Sequence, residues 1–208
     1  MIKIYHVPNS RSVRVIWLME EMEEPYDVET ITFPPDDAFR AISPTASVPT
    51  IVDGDIVMGE SIAILQYLTG RRLQKSLELK ITVGPNPDPA AYAEHLQFLH
   101  LGESSLMAPL AILGVTRRRG PADQQSNFTM DLCERRLATR MLALEKRLAD
   151  GRTWITGEDF TIADISVGYA LGFARWCELD SLIGAQASAY LDRVQARPAY
   201  QRAAEHNK

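Results

Sequence analysis

The sequence predicts a chain in two halves, a mixed α/β domain over residues 1–80 and an all-helical domain over 90–208, joined by a linker at 81–89. Three observations predict it. Strand-like and helix-like patterns alternate through the first half, almost no strand pattern follows Ala90, and between them Gly84-Pro85-Asn86-Pro87-Asp88-Pro89 concentrates turn formers.

Lys3 to Val7 reads as a short strand. From Ser10 to Glu24 apolar residues fall at 13, 15 to 19 and 22, an arc wide enough for a helix buried along most of its girth, and Pro25 ends it. Tyr26 to Ile31 alternates apolar with polar and reads as a second strand, followed by a short helix. Thr50 to Met58 is a hairpin with Asp53-Gly54 at its turn. After Gly59-Glu60-Ser61, apolar positions 62, 65 and 68 resume helical spacing. A β-α-β unit followed by a hairpin and a helix gives a mixed sheet with helices on both faces, a thioredoxin-like layout. Beyond the linker, helices are expected over Ala90–Gly114, Asp123–Asp150, Ile162–Cys177 and Ala187–Arg197, packed as a bundle.

Composition narrows the function. The 208 residues carry 22 Lys+Arg against 27 Asp+Glu, a net charge of −5, with 46% hydrophobic residues, as in a globular chain. An acidic balance argues against a nucleic-acid partner, and Arg117-Arg118-Arg119 is too short to reverse it. The longest uncharged run, Ser104 to Thr116, is 13 residues and contains Pro109; a bilayer span needs about 18 or more, so no membrane segment is expected. Met1 to Tyr5 reads as a strand rather than a signal peptide, and a cytoplasmic location is expected. Cys133 and Cys177 lie 44 positions apart without a C-x-x-C, and read as small core residues. Among the histidines only His95 and His100 are close, and a spacing of five turns them about 140° apart, so no metal is expected.

Two motifs carry a family resemblance. Ser47-Val48-Pro49-Thr50-Ile51, followed by Gly59-Glu60-Ser61-Ile62-Ala63-Ile64-Leu65-Gln66-Tyr67-Leu68, resembles the V-P…E-S-x-A-I-x-x-Y-L pattern of the cytosolic glutathione transferases. Asp159-Phe160-Thr161-Ile162-Ala163-Asp164-Ile165 is similar to that family's F-T-x-A-D motif. The resemblance covers essentially the whole chain and is to bacterial-type, serine-class-like members related to the theta, nu and beta classes. It implies a dimeric enzyme in which the first half binds glutathione and the second offers an apolar pocket to a small hydrophobic electrophile. Glutathione-dependent peroxide or disulfide reduction, and a non-catalytic dimerisation or interaction module, are the alternatives.

The residues also have a reading of their own. Pro49 lacks an N–H and leaves the Val48 backbone available to an extended peptide; the resemblance implies a cis Val48–Pro49 bond. Ser61 opens a helix, where free N–H groups and the dipole favour a carboxylate. The resemblance assigns it the γ-glutamyl carboxylate, and Glu60 the amino group. Thr161 and Asp164 have capping-box spacing, for which a structural role and a cost of about 1 kcal/mol on truncation are expected.

Activation of a thiol needs a hydrogen-bond donor that favours the thiolate. It is expected between the first strand and first helix, in Tyr5-His6-Val7-Pro8-Asn9-Ser10-Arg11-Ser12-Val13-Arg14. Ser10 is the first choice by its likeness to serine-type members; Ser12, Asn9 and Tyr5 follow. His6 reads as a packed or surface residue on the other side of the sheet. The absence of a cysteine there argues against a mixed disulfide with glutathione. Where many members have G-K-V-P this chain has Ala46-Ser47-Val48-Pro49, losing a lysine for the glycine carboxylate; Arg11 or Arg14 are candidate compensators. Ser104, Ser105 and Met107 are candidate pocket residues.

Overall fold

The computed structural model describes residues 1–75, 88–124 and 126–207, with 72–75 as backbone. Residues 81–87 of the expected linker lie outside them. The chain divides into two compact units, Met1–Gly84 together with Gln195–Lys208, and Pro85–Val194.

In the first unit, β1 (Ile2–His6) leads through a tight loop to α1 (Ser12–Met22) and β2 (Tyr26–Thr30). Every residue of α1 from Ser12 to Met19 is buried, as its wide apolar arc requires, and Glu23 ends it in a left-handed conformation at φ 54° just ahead of Pro25. The short α2 (Asp37–Ile42) is capped by Asp36, whose carboxylate accepts the Phe39 N–H. β3 (Thr50–Asp53) and β4 (Ile56–Met58) form the hairpin, with Gly54 at φ +62° in the turn. α3 (Ser61–Lys75) follows. The sheet order is β2-β1-β3-β4, with β1 and β2 parallel and the other pairs antiparallel. Tyr67 and Arg71 both bind the Asp53 carboxylate and tie α3 to the hairpin.

The last helix of the chain, Pro198–Glu205, packs against α1 in this unit. Its Tyr200 ring meets Trp17 edge-on at 5.0 Å, and Arg197 just before it holds Glu21 through two bonds of 2.6 and 2.7 Å. The sequence reading stops its final helix at Arg197, because Pro198 looks like a terminator; the proline is instead the first residue of a new helix, where a missing N–H costs nothing.

In the second unit, α4 (Pro89–His100), a π-helical segment (Leu101–Met107) and α5 (Ala108–Arg119) run on as one long helix. Over 31 residues it is apolar enough by length and composition to cross a bilayer, which the uncharged runs do not suggest, but it packs against other helices as a core element. The π segment sits where Gly102 meets a neighbouring helix so closely that a Cβ there would fall 2.3 Å from Ser166 Oγ. α6 (Phe128–Leu148), capped by Asn127, and α7 (Ile162–Trp176), capped by Thr161, complete the core with α8 (Ala185–Gln195). The Glu145 carboxylate caps α8 from outside, accepting the N–H groups of Gln186 and Ala187 at 2.8 and 2.9 Å. Cys133 and Cys177 are free and buried, in keeping with their reading as core residues.

Pro198–Glu205 follows α8 as α9.

Candidate functional site

Strand register gathers most of the expected residues at one end of the sheet. Tyr5 pairs with Thr50 and Ile51 with Met58. The outgoing end of β1, the Pro49 side of β3 and the Gly59-Glu60-Ser61 exit from β4 therefore lie side by side, and the loop carrying Asn9 and Ser10 leaves from the same end.

Val48–Pro49 is cis. Val48 is half-buried, and among the described residues its backbone N–H and C=O take no internal hydrogen bond. Glu60 is exposed at φ +66°, with its carbonyl accepting the Ile64 N–H, so it caps α3 by its backbone while its carboxylate points to water. Ser61 is buried, and its Oγ accepts from Arg14 Nη1 at 3.0 Å. Arg14 is itself wholly buried. Its guanidinium places a positive charge behind the first turn of α3 and occupies a lone pair of Ser61, which leaves the serine hydrogen available to an acceptor. Arg14 thus braces two elements of one unit. Its signal in the sequence is a single cation inside an otherwise apolar helical arc: such a charge needs a buried partner.

Beside Val48 and Glu60 lies a hollow of about 200 Å³ lined by hydroxyls of Ser43, Thr45, Ser47 and Thr50 and by Val57. The hydroxyls bond to one another, Thr45 to Ser47 at 2.8 Å and Thr50 to Ser43 at 3.0 Å.

The thiol-activating candidates separate by environment. Ser10 is half-buried, and its Oγ lies 2.6 Å from Ser12 Oγ. Ser12 is fully buried, and its Oγ lies 2.7 Å from His6 Nδ1. His6 is fully buried as well, its Nε2 2.9 Å from the His206 carbonyl oxygen. Asn9 sits exposed at φ +60°, its N–H donating to Asn207 Oδ1 at 2.8 Å. Tyr5 is buried on the face opposite His6, against Phe39, and burial pushes its hydroxyl above its ordinary pKa. The sequence alone reads His6 as a packed or surface residue. It is packed, but against the serine behind Ser10, a contact that alternation along β1 alone does not disclose.

The second unit holds the other motif. The Asp164 carboxylate is fully buried and accepts the N–H groups of Thr161 and Ile155 at 2.8 Å each, the Thr161 hydroxyl at 3.1 Å and the Tyr190 hydroxyl at 2.8 Å. Burial outweighs these donors and pushes its pKa up to about 6. Met107 is buried rather than lining an opening, Ser104 turns back to the His100 carbonyl, and Ser105 is half-buried. Among the described residues no group of three or more His, Cys, Asp or Glu side chains could hold a metal ion.

At the sheet end, an exposed carboxylate, an unpaired backbone edge, a serine backed by a guanidinium at a helix start and a half-buried hydroxyl make complementary partners for an extended peptide. Comparison with known proteins points the same way. The family model described as the glutathione S-transferase N-terminal domain matches residues 10–71, and that of the C-terminal domain matches 129–202, together more than half of the chain. A protein named glutathione S-transferase 3 of Schizosaccharomyces pombe is 33% identical over 113 residues, which make up 51% of this chain and 43% of that protein. The glutathione S-transferase of Hyoscyamus muticus is 24% identical over 207 residues, 94% of this chain and 93% of its own. A crystal structure of a glutathione transferase family member from Pseudomonas fluorescens, with two glutathione molecules bound, is 25% identical with a TM-score of 0.83, over 98% of this chain and 92% of that one.

Proposed function

Because the chain belongs to the glutathione S-transferase family, we propose that it transfers glutathione to small hydrophobic electrophiles, with Ser10 as the hydroxyl that favours the thiolate. The observation that carries this reading is the convergence at one sheet end of Ser10, Val48, Glu60 and Ser61. Ser61 and the start of α3 receive the γ-glutamyl carboxylate, in the field of the buried Arg14. Glu60 meets the amino group, Val48 pairs with the cysteinyl backbone, and the hydroxyl-lined hollow takes the glycine carboxylate in place of the absent lysine. Ser10 is favoured over Ser12 because it is half-open while Ser12 is enclosed between Ser10 and His6. Tyr5 is disfavoured by its place against Phe39. The protein works as a cytoplasmic homodimer.

The test is calorimetric titration with glutathione, followed by conjugation of an activated aryl halide. Micromolar to millimolar binding and turnover are expected. Absence of binding at neutral pH and low salt would return the chain to the non-catalytic alternative. Binding with turnover of a peroxide but no aryl halide would assign it as a reductase.

A further inference from the structure

His6, Ser12 and Ser10 form a single hydrogen-bonded file from the protein interior to the site. The direction of its hydrogens follows from the chemistry of its ends. A carbonyl oxygen only accepts, so His6 Nε2 carries the hydrogen that lies between it and the His206 carbonyl. With a neutral ring, Nδ1 is then an acceptor, and the 2.7 Å contact places the Ser12 hydrogen on it. The Ser12 oxygen is left to accept at 2.6 Å from Ser10. Every hydroxyl hydrogen in this state points inward, and Ser10, whose Oγ also accepts the Ser12 N–H at 3.4 Å, offers the site a lone pair and no hydrogen. A hydroxyl in that state cannot donate to a thiolate, whereas it can accept from a thiol.

Building on the glutathione reading above, we propose that Ser12 and His6 are a proton relay behind Ser10 which takes up the thiol proton of bound glutathione. The thiol S–H bond breaks as its proton passes to Ser10 Oγ, the Ser10 hydrogen moves to Ser12 Oγ, and the Ser12 hydrogen moves to His6 Nδ1. One S–H bond is exchanged for one N–H bond. The products are a thiolate and an imidazolium: His6 Nε2 keeps its hydrogen on the His206 carbonyl, while the Nδ1, Ser12 and Ser10 hydrogens now point outward, so that Ser10 donates to the sulfur. After conjugation the proton returns along the same file to water when the product leaves. His6 and Ser12 act through Ser10 and are positioning residues; only Ser10 touches the sulfur.

The surroundings of His6 suit a reversible proton store. From α1 and the loop before it, His6 faces the Ser12 hydroxyl and, behind it, that of Ser10; from the end of α9 it faces the His206 carbonyl and ring, the ring centroids 6.2 Å apart. Beyond His206 stands Tyr26, bonded to Glu20, which pairs with Arg202. Burial and, to a lesser extent, the His206 ring hold the His6 pKa below its ordinary value, while the bond to the His206 carbonyl works against them. The empty site at neutral pH therefore rests in the inward state. A thiolate beside Ser10 supplies the opposite charge that favours the imidazolium.

The decisive measurement is ring ¹⁵N NMR of the full-length wild-type protein at neutral pH, with His6 assigned through His6→Asn. Glutathione should convert the His6 signal from neutral imidazole to imidazolium, and S-methylglutathione, which makes the same peptide contacts but has no thiol proton, should not. In parallel, Ser12→Ala should raise the pKa of the bound thiol, followed by thiolate ultraviolet absorption, by about one unit, a tenfold loss of thiolate. Its affinity for S-methylglutathione should hold, and Ser12→Thr should restore the profile. A purely structural role for Ser12 and His6 would lower thermal stability without moving the thiol pKa. The relay is overturned if glutathione ionises in the site while His6 stays neutral, or if Ser12→Ala leaves the thiol pKa unchanged. If neither ligand binds, the glutathione reading itself fails.

Discussion

Each unit carries a polar cluster at the start of a helix, and the two are finished differently. At α7 the Asp164 carboxylate takes four donors from Thr161, Ile155 and Tyr190 and is sealed from water. At α3 the Glu60 carboxylate is exposed, Ser61 keeps its hydrogen, and Val48 offers an unpaired backbone edge. Both are motifs that stand out in the sequence. Saturation separates them: a cluster whose hydrogen-bonding capacity is spent internally holds a fold together, and one with capacity left over can bind something.

The largest effect should come from breaking the sealed cluster. Asp164→Ala leaves the N–H groups of Ile155 and Thr161 and the Tyr190 hydroxyl without their acceptor, at about 1–3 kcal/mol each, partly offset by removing a costly buried charge. A net loss of about 2–4 kcal/mol in urea unfolding is expected, above the cost of a lost cap alone. Activity per folded molecule should persist; its selective loss would break the distinction between the two clusters. The pH dependence has a definite sign. With the folded pKa near 6 and an ordinary value of 3.8, the folded state holds the proton more tightly. This group's contribution therefore falls as pH rises from about 4 to 6, and Asp164→Asn should flatten that slope.

The open cluster should answer in kinetics instead. A hydrogen bond to a charged group contributes about 1.5–3 kcal/mol, so Ser10→Ala should lower kcat about 10- to 100-fold with little change in unfolding. Equal small effects of Ser10→Ala and Ser12→Ala would move the donor to Asn9 or Tyr5. Glu60→Gln should weaken glutathione binding about 5- to 10-fold, since one exposed charge-assisted bond is lost. An unchanged Kd would remove Glu60 from the site.

How legible each part was in the sequence follows from the range of the interactions that make it. The order of the first seven elements could be read because each depends on local pattern: the apolar arc of α1, the Asp53-Gly54 turn, the run after Ser61. Thr161 and Asp164 stood out for the same reason, three positions apart. The π segment did not, because nothing in Leu101–Met107 shows that Gly102 touches Ser166. α9 was hidden by its small apolar residues, Ala199 and Ala203, and by the proline that opens it. The link from His6 to the carbonyl of His206 spans 200 positions, and no periodicity reports a contact of that separation.

The smallest effect, and the sharpest probe of leftover capacity, belongs to the hollow at Thr45 and Ser47. These side chains are exposed and bond to each other at 2.8 Å, so a ligand carboxylate trades one neutral partner for another and the gain is small. Thr45→Val with Ser47→Ala should weaken glutathione binding only about two- to fivefold, or ~0.5–1 kcal/mol. The same pair should leave γ-glutamylcysteine unaffected, because that dipeptide lacks the glycine. Ser47→Lys should act in the opposite sense, tightening glutathione and not the dipeptide, with a gain that shrinks as salt is raised. If both ligands respond equally to these changes, the hollow shapes the backbone around Val48 and does not receive the carboxylate. The capacity left over at the sheet end would then be confined to Glu60, Ser61, Val48 and Ser10.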